Sequence, residues 1–151
     1  MFKGRGNKLR LEEQIIMIAM YAIDQKYIDG ATEIGTIFWT AEQFAALEKA
    51  PSLEYIGEGN QIIVSKDELE GDATSGWKIA APPVAAKDLT DTSYYWLGYI
   101  KHADGTVSYS GIVTYTFEQY MYEQRNSSDA NLLELVKCLY VYEKAAYAAL
   151  R

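Results

Sequence analysis

An aromatic hairpin constrains the fold of this chain more than any other segment. Residues 93–101 and 106–115 are rich in aromatic and β-branched side chains, and they flank Ala103-Asp104-Gly105, which is typical of a tight turn with glycine at positive φ. The two faces of the first strand carry Tyr95, Leu97 and Tyr99 on one side and Tyr94, Trp96 and Ile100 on the other. Because both faces are apolar, we predict a cover on each side, by another sheet and by a helix at 129–150. A surface of stacked rings that binds sugar is the alternative.

Shorter strands are predicted before this hairpin. Residues 9–23 fit a period of two and also a helical period, and their β-branched content favours a strand. Further strands are predicted at 33–39, 60–65 and 77–80. Pro82-Pro83 cannot lie inside a central strand, so it either ends the pattern or occupies an edge.

Capping residues indicate where the helices begin. Thr40 is followed three residues later by Gln43, and Thr116 by Gln119, and both pairs fit a capping box. They predict helices at 41–49 and from 117 to about 124. Asn126-Ser127-Ser128-Asp129 offers N-caps for a last helix. Its predicted buried stripe consists of Leu132, Leu135, Val136, Leu139, Tyr142, Ala146, Ala149 and Leu150.

These elements predict an α+β domain over residues 9–151. The expected fold is an antiparallel β-sheet or small β-sandwich with two C-terminal helices packed on one face. Residues 1–8 contain several basic and glycine residues, and we predict that they form a flexible tail.

The charge of the chain opposes two classes of partner. The net charge is −7, whereas nucleic acids and anionic lipids are bound through clustered Lys and Arg. The continuous apolar run at 15–23 is about half the ~20 residues that a membrane span requires, so we expect no membrane insertion. No secretory signal pattern follows the basic start, where Leu9-Arg10-Leu11-Glu12-Glu13 stands instead.

Residues that carry chemistry are few. His102 is the only histidine, so a cluster of histidines cannot hold a metal. Its position is explained by the polar residues that a hairpin turn commonly carries. Cys138 is the only cysteine, and we expect it to be buried and inert beside the helical stripe. The acidic loop at 67–72 fits neither register of an EF-hand. We therefore predict no metal, no cofactor and no enzymatic activity.

Two aromatic residues outside the hairpin are the predicted ligand-binding residues. Trp77 and Tyr55 lie beside glycine-containing loops, where we expect their rings to be exposed. Exposed flat rings with polar groups around them bind the apolar face of a sugar.

The C-terminal half resembles a known type of module. Ala86-Lys87-Asp88-Leu89-Thr90-Asp91-Thr92, Asp104-Gly105, Thr114-Tyr115-Thr116 and Ser127-Ser128-Asp129 resemble the C-terminal accessory module of large surface or secreted proteins of gut clostridia. Val141-Tyr142-Glu143-Lys144-Ala145-Ala146 departs from the Asn-Tyr-Gly-Ala-Ala of those modules.

The resemblance covers roughly residues 32–150, and residues 9–31 more loosely, and implies an extracellular unit of a longer, Gram-positive surface protein, without an activity. We therefore expect a non-catalytic interaction or spacer module whose partner is a protein or glycan at the cell surface. The alternative is a carbohydrate-binding module that uses exposed aromatics.

Overall fold

The computed structural model describes residues 1–11, 15–72, 76–84 and 93–149. Its strands are β1 (Phe2–Leu11), β2 (Ile15–Ile23), β3 (Ala31–Thr40), β4 (Asn60–Val64), β5 (Glu70–Asp72), β6 (Gly76–Val84), β7 (Ser93–His102) and β8 (Val107–Thr116). Its helices are α1 (Gln25–Asp29), α2 (Ala41–Ala45), α3 (Phe117–Gln124) and α4 (Ala130–Ala149), with a 3-10 turn at Lys66–Glu68. Residues 12–14, 73–75, 85–92 and 150–151 lie outside the described residues, and these include the segment 86–92 that carries part of the resemblance and Leu150 of the predicted stripe.

The strands form two antiparallel sheets of four strands each. The first sheet has the order β1-β2-β6-β5, and the second has the order β4-β3-β7-β8. All of the described strand pairs are antiparallel. Together with the two C-terminal helices, these sheets confirm the predicted α+β fold.

The inter-sheet core lies between the two sheets, and alternate residues of the strands build it. It contains Met17, Ala19, Tyr21 and Ile23 of β2, Ile34 and Phe38 of β3, and Trp96 and Ile100 of β7. The odd-numbered residues of β2 therefore face the second sheet, as a period of two requires. The strand predicted over residues 9–23 is therefore right in type but wrong in extent, because residues 9–11 belong to β1 and residues 15–23 to β2, and these two strands pair antiparallel.

A buried polar chain links the two sheets. The Tyr21 hydroxyl lies 2.6 Å from Thr36 Oγ1, and the Thr36 hydroxyl in turn donates to the Leu97 carbonyl at 3.3 Å. The Tyr21 ring can lie this close to β7 because Gly98 has no Cβ, which would stand 2.5 Å from Tyr21 Cε1. Burial raises the pKa of Tyr21, so its hydroxyl stays protonated and available as a donor.

A second cluster lies on the other face of the second sheet. This outer cluster consists of Ile37, Trp39, Leu97 and Tyr99, with Phe44, Leu47, Leu53 and Ile56 packed against it. Trp39 Nε1 donates to the Ile56 carbonyl at 2.7 Å, and the Phe44 ring stacks on Tyr95 with centroids 4.1 Å apart. Strand β7 is thus covered on both sides as predicted, but its second cover is α2 with residues 46–59 rather than the C-terminal helix.

The capping box predicted at Thr40 is present, whereas at Thr116 the structure has the bond to the threonine side chain and the Gln119 side chain donates to Glu123 instead. Gln43 N donates to Thr40 Oγ1 while Thr40 N donates to the Gln43 side chain, and Gln119 N donates to Thr116 Oγ1 at 3.0 Å. Helix α2 nevertheless ends at Ala45 rather than at residue 49. The chain turns there, because Leu47 N donates to the Phe44 carbonyl and the Leu47 side chain packs on the outer cluster.

Both C-terminal helices contribute to the inter-sheet core. Phe117, Tyr120 and Met121 of α3 and Val136 of α4 are buried within it. In α4 the predicted stripe is buried only in part, since Leu132, Leu135 and Leu139 are partly buried whereas Tyr142 and Ala149 are exposed. The prediction for Cys138 is wrong, because its side chain is exposed. Two residues make a rotation of about 200° along a helix, so Cys138 lies nearly opposite the buried Val136.

The prediction of a flexible tail is also corrected, because residues 2–8 lie within β1. Phe2 pairs with Ile23, and its ring centroid lies 5.8 Å from that of Tyr21. Lys3 and Arg5, the basic residues that suggested a tail, are exposed, whereas Phe2 between the two sheets is partly buried. This alternation of basic and inward-facing residues is typical of a strand with one solvent-exposed face and one buried face.

The prolines of β6 occupy an edge, as their chemistry predicts. Strand β5 pairs only with the stretch of β6 from Gly76 to Lys78. Pro82 and Pro83 lie beyond it, where β6 has only β2 as a paired neighbour within the described residues. The missing backbone N–H groups therefore leave no neighbouring strand unsatisfied on that side.

Candidate functional site

The two predicted ligand-binding residues are not exposed rings. Trp77 lies on β6, is partly buried against the inter-sheet core, and donates from Nε1 to the Ile23 carbonyl at 3.3 Å. Tyr55 is also partly buried, and its hydroxyl accepts from Glu48 N at 3.2 Å. Both polar atoms that would meet a sugar are thus engaged within the chain.

Trp77 and Tyr55 also belong to different layers. Trp77 packs between the two sheets, whereas Tyr55 is part of the segment 46–59 that covers the opposite face of the second sheet. A platform for a glycan needs several exposed, nearly coplanar rings, and these two residues do not form one.

The aromatic residues of the hairpin are mainly core residues. Trp96 is 1% exposed and faces the first sheet, and Tyr99 is 0% exposed and belongs to the outer cluster. Tyr109 on β8 is partly exposed, but its hydroxyl accepts from Leu53 N at 3.0 Å. The prediction that this hairpin is a core element rather than a sugar-binding surface agrees with this packing.

Polar side chains lie at the hairpin turn as well. Asp104 Oδ1 accepts from Thr106 N at 2.9 Å, and Gly105 has a φ of 84° as predicted. The hydrogen bond from the Thr106 hydroxyl, and then that from Thr106 N, hold the pKa of Asp104 below its usual value. The His102 ring lies 2.8 Å from Ser108 Oγ and contacts the Tyr27 ring. The arrangement of His102 is that of a hairpin end.

A polar network lies at one end of the outer cluster. The Tyr99 hydroxyl donates to Glu33 Oε1 at 2.8 Å and accepts from Gln61 Nε2 at 2.6 Å. Lys101 Nζ lies 2.9 Å from the same Glu33 oxygen. Burial, and then the bond to the Glu33 carboxylate, raise the pKa of Tyr99 to about 12, whereas Gln61 opposes this rise. The network joins β3, β4 and β7, and its members satisfy one another.

We expect this network to make the free energy of unfolding depend on pH in the acidic range. The Lys101 and Tyr99 bonds hold the pKa of Glu33 below its usual 4.5, so the ionised carboxylate stabilises the fold. That contribution is complete above pH 4.5 and is lost as the pH falls through the lower, folded-state pKa. Urea unfolding at pH 6 and pH 3.5 should therefore show a smaller loss of stability for Glu33→Gln than for wild type. Equal losses would contradict the role of Glu33.

The other residues considered for catalysis do not form a centre. Cys138 lies on α4 and His102 at the end of β7, and no hydrogen bond joins them in the described part of the chain. In the acidic loop at 67–72, all residues are exposed except Leu69, whose side chain packs in the inter-sheet core. Within residues 1–11, 15–72, 76–84 and 93–149, no three His, Cys, Asp or Glu side chains are grouped to hold a metal ion.

The second half of α4 exposes an apolar surface. Val141 is 69% exposed and Tyr142 is 53% exposed. Three alanines on the same side of the helix are exposed as well, and together the α4 surface consists of Val141, Tyr142, Ala145, Ala148 and Ala149. Exposed Lys137 and Lys144 border it. An apolar patch with a polar rim is the anatomy of a protein contact.

Sequence reasoning missed this surface by assigning Tyr142 and Ala149 to the buried stripe. A signal was available, since Val141 and Ala145 are apolar but fall outside that stripe, so the second half of α4 is apolar on several sides. A helix that is apolar on more than one face needs more than one partner.

Comparison with protein-family models, with curated proteins and with solved structures found no match. None of the helices in the described residues is long and apolar enough to cross a membrane. The proposal for function therefore rests on the surfaces of the chain itself.

Proposed function

We propose that this chain is a non-catalytic interaction module that binds a protein partner through the α4 surface. The observation that carries the proposal is the exposure of Val141 and Tyr142 on a helix whose first half is docked through the buried Val136. Docking of the first half holds the second half in place, so the exposed side chains are presented on a supported helix. A preorganised apolar surface loses little conformational entropy on binding.

The non-catalytic part of the proposal is supported by how the reactive side chains are used. His102 contacts Ser108 and Tyr27 at the hairpin end, and the Tyr99 and Glu33 pair is satisfied by Gln61 and Lys101. An acid or base for catalysis needs a proton within reach of a bound substrate, whereas these groups face one another.

The proposed setting is the surface of a cell or the secreted fraction, within a longer chain. Its support is the resemblance of Ala86–Thr92, Asp104-Gly105 and Ser127-Ser128-Asp129 to the accessory modules of clostridial surface proteins. The net charge of −7 further disfavours nucleic acid as a partner in this setting.

Site-specific photo-crosslinking tests the proposal. A benzoylphenylalanine replaces Val141 in one sample and, as the control, the exposed Glu118 of α3 in another. Each is irradiated with the surface-protein fraction of the producing cells. We expect position 141 to crosslink one protein that position 118 does not. An excess of unlabelled wild-type chain should compete for it, whereas Val141→Glu should not.

Two results would contradict the proposal. The first is equal crosslinking at both positions, or competition by Val141→Glu as strong as that by wild type. The second is saturable binding on a glycan array that Trp77→Ala abolishes and Val141→Glu leaves intact, which would favour a carbohydrate-binding module instead.

A further inference from the structure

Strand β4 ends the second sheet and leaves one of its edges without a paired strand. It pairs with β3 from Phe38↔Asn60 to Ile34↔Val64. Within the described residues, no other strand pairs with Asn60–Val64, and no further backbone hydrogen bond reaches them. An edge of this kind presents unpaired N–H and C=O groups to any strand that approaches.

The sequence of β4 does little to block such pairing. Its residues are Asn60-Gln61-Ile62-Ile63-Val64, without proline and without the lysine that commonly protects an edge. Ile63 of this strand is 59% exposed, so an apolar side chain lies next to the open edge. The strand therefore combines an open edge with an exposed isoleucine.

Self-pairing of β4 keeps every side chain on its own face. Gln61 reaches the Tyr99 hydroxyl on the outer side of the sheet, whereas Ile62 and Val64 pack toward the inter-sheet core. An antiparallel pair centred on Ile62 places Gln61 opposite Ile63 of the second copy, and both lie on the outer face. The two Ile63 side chains then become diagonal neighbours, a spacing at which long side chains interact.

The charges beside β4 favour this register. Glu58 lies in the turn before β4 and Lys66 begins the 3-10 turn after it, and pairing about Ile62 brings Glu58 toward Lys66 of the second copy, a contact that the symmetry repeats. Both residues are exposed, and Lys66 Nζ has donors left beyond its bond to the Asp29 carbonyl. The alternative register about Ile63 keeps each side chain on its face but brings Glu58 toward Glu68 in the 3-10 turn of the second copy, and two carboxylates repel one another.

We propose that β4 is a dimerisation edge. It pairs antiparallel with β4 of a second copy about Ile62, so that the two second sheets, of four strands each, join into a continuous sheet of eight. This interface uses a different part of the molecule from the α4 surface and does not depend on the proposed function.

Sedimentation equilibrium over a range of concentrations tests this dimer. Wild type should reach twice the monomer mass of 17.0 kDa as its concentration rises. Ile63→Lys should weaken dimerisation at least about tenfold, because two lysines would then meet beside the dyad. Ile112→Lys is the matched control, since Ile112 is 40% exposed on β8 at the opposite edge, and it should dimerise like wild type.

A charge exchange gives a second readout. Glu58→Lys alone should weaken the dimer, and Glu58→Lys combined with Lys66→Glu should restore most of the lost affinity. A wild-type chain that stays monomeric up to about 1 mM would overturn the proposal. A wild-type dimer whose affinity Ile63→Lys does not change would overturn it as well. The same holds if Val141→Glu, and not Ile63→Lys, abolishes the dimer, because the interface would then be the α4 surface. Circular dichroism of each variant confirms that it is folded.

Discussion

Replacing Val136 by Asp should destabilise the chain by about 3–5 kcal/mol. Val136 is 2% exposed and packs in the inter-sheet core with residues of α3. A carboxylate there would lose its water without gaining a partner. Urea unfolding followed by circular dichroism measures the change in the free energy of unfolding.

The control for this substitution lies on the same helix. Val141→Asp makes the same chemical change at a side chain that is 69% exposed, so its effect should stay within about 0.5 kcal/mol. Equal stabilities of Val136→Asp and wild type would mean that α4 is not docked. The exposed second half would then lose the support that the proposed function requires.

Replacing Trp96 by Ala should cost about 3–5 kcal/mol. Trp96 is 1% exposed, and its ring centroid lies 5.3 Å from Phe38 and 5.5 Å from Tyr94. Trp96 Nε1 makes no hydrogen bond in the described part of the chain, so the loss comes from packing and from the cavity that remains. The same unfolding measurement applies.

Tyr142→Ala serves as the comparison for Trp96, because it also removes an aromatic ring, but one that is 53% exposed. Its cost should be below about 1 kcal/mol. If Trp96→Ala were no more costly than Tyr142→Ala, the hairpin aromatics would not be core residues, and a ligand-binding role for them would have to be considered again.

Local signals in the sequence predicted much of the fold. The turn with Asp104 and Gly105 and the caps at Thr40 and Thr116 depend on residues within a few positions of one another. Such contacts can be inferred from spacing alone. The apolar side chains on both faces of β7 similarly predicted that both faces would be covered.

The errors concern contacts between residues that are distant in sequence. The partner on the outer face of β7 could not be chosen from the strand itself, and segment 46–59 takes the place that was expected for the C-terminal helix. The exposures of Trp77, Tyr55 and Cys138 depend likewise on which elements pack around them. Glycine-rich surroundings indicate a turn but do not show whether the neighbouring ring is covered.

The α4 surface could not be predicted from the periodicity of the helix. Helical periodicity shows which residues share a face, but it does not show how far along the helix that face is docked. In α4 the predicted stripe is buried at Val136 but exposed at Tyr142, less than two turns further along the helix. Only the tertiary arrangement shows where the contact with the core ends.

In the proposed function, the partner binds the α4 surface and not the residues Trp77 and Tyr55. The most direct test is the affinity of the crosslinked partner, by surface plasmon resonance, for wild type, Val141→Glu and Trp77→Phe. We expect at least about tenfold weaker binding for Val141→Glu, since a charge would enter an apolar contact, and unchanged binding for Trp77→Phe. Weaker binding of Trp77→Phe with unchanged binding of Val141→Glu would contradict the proposed function.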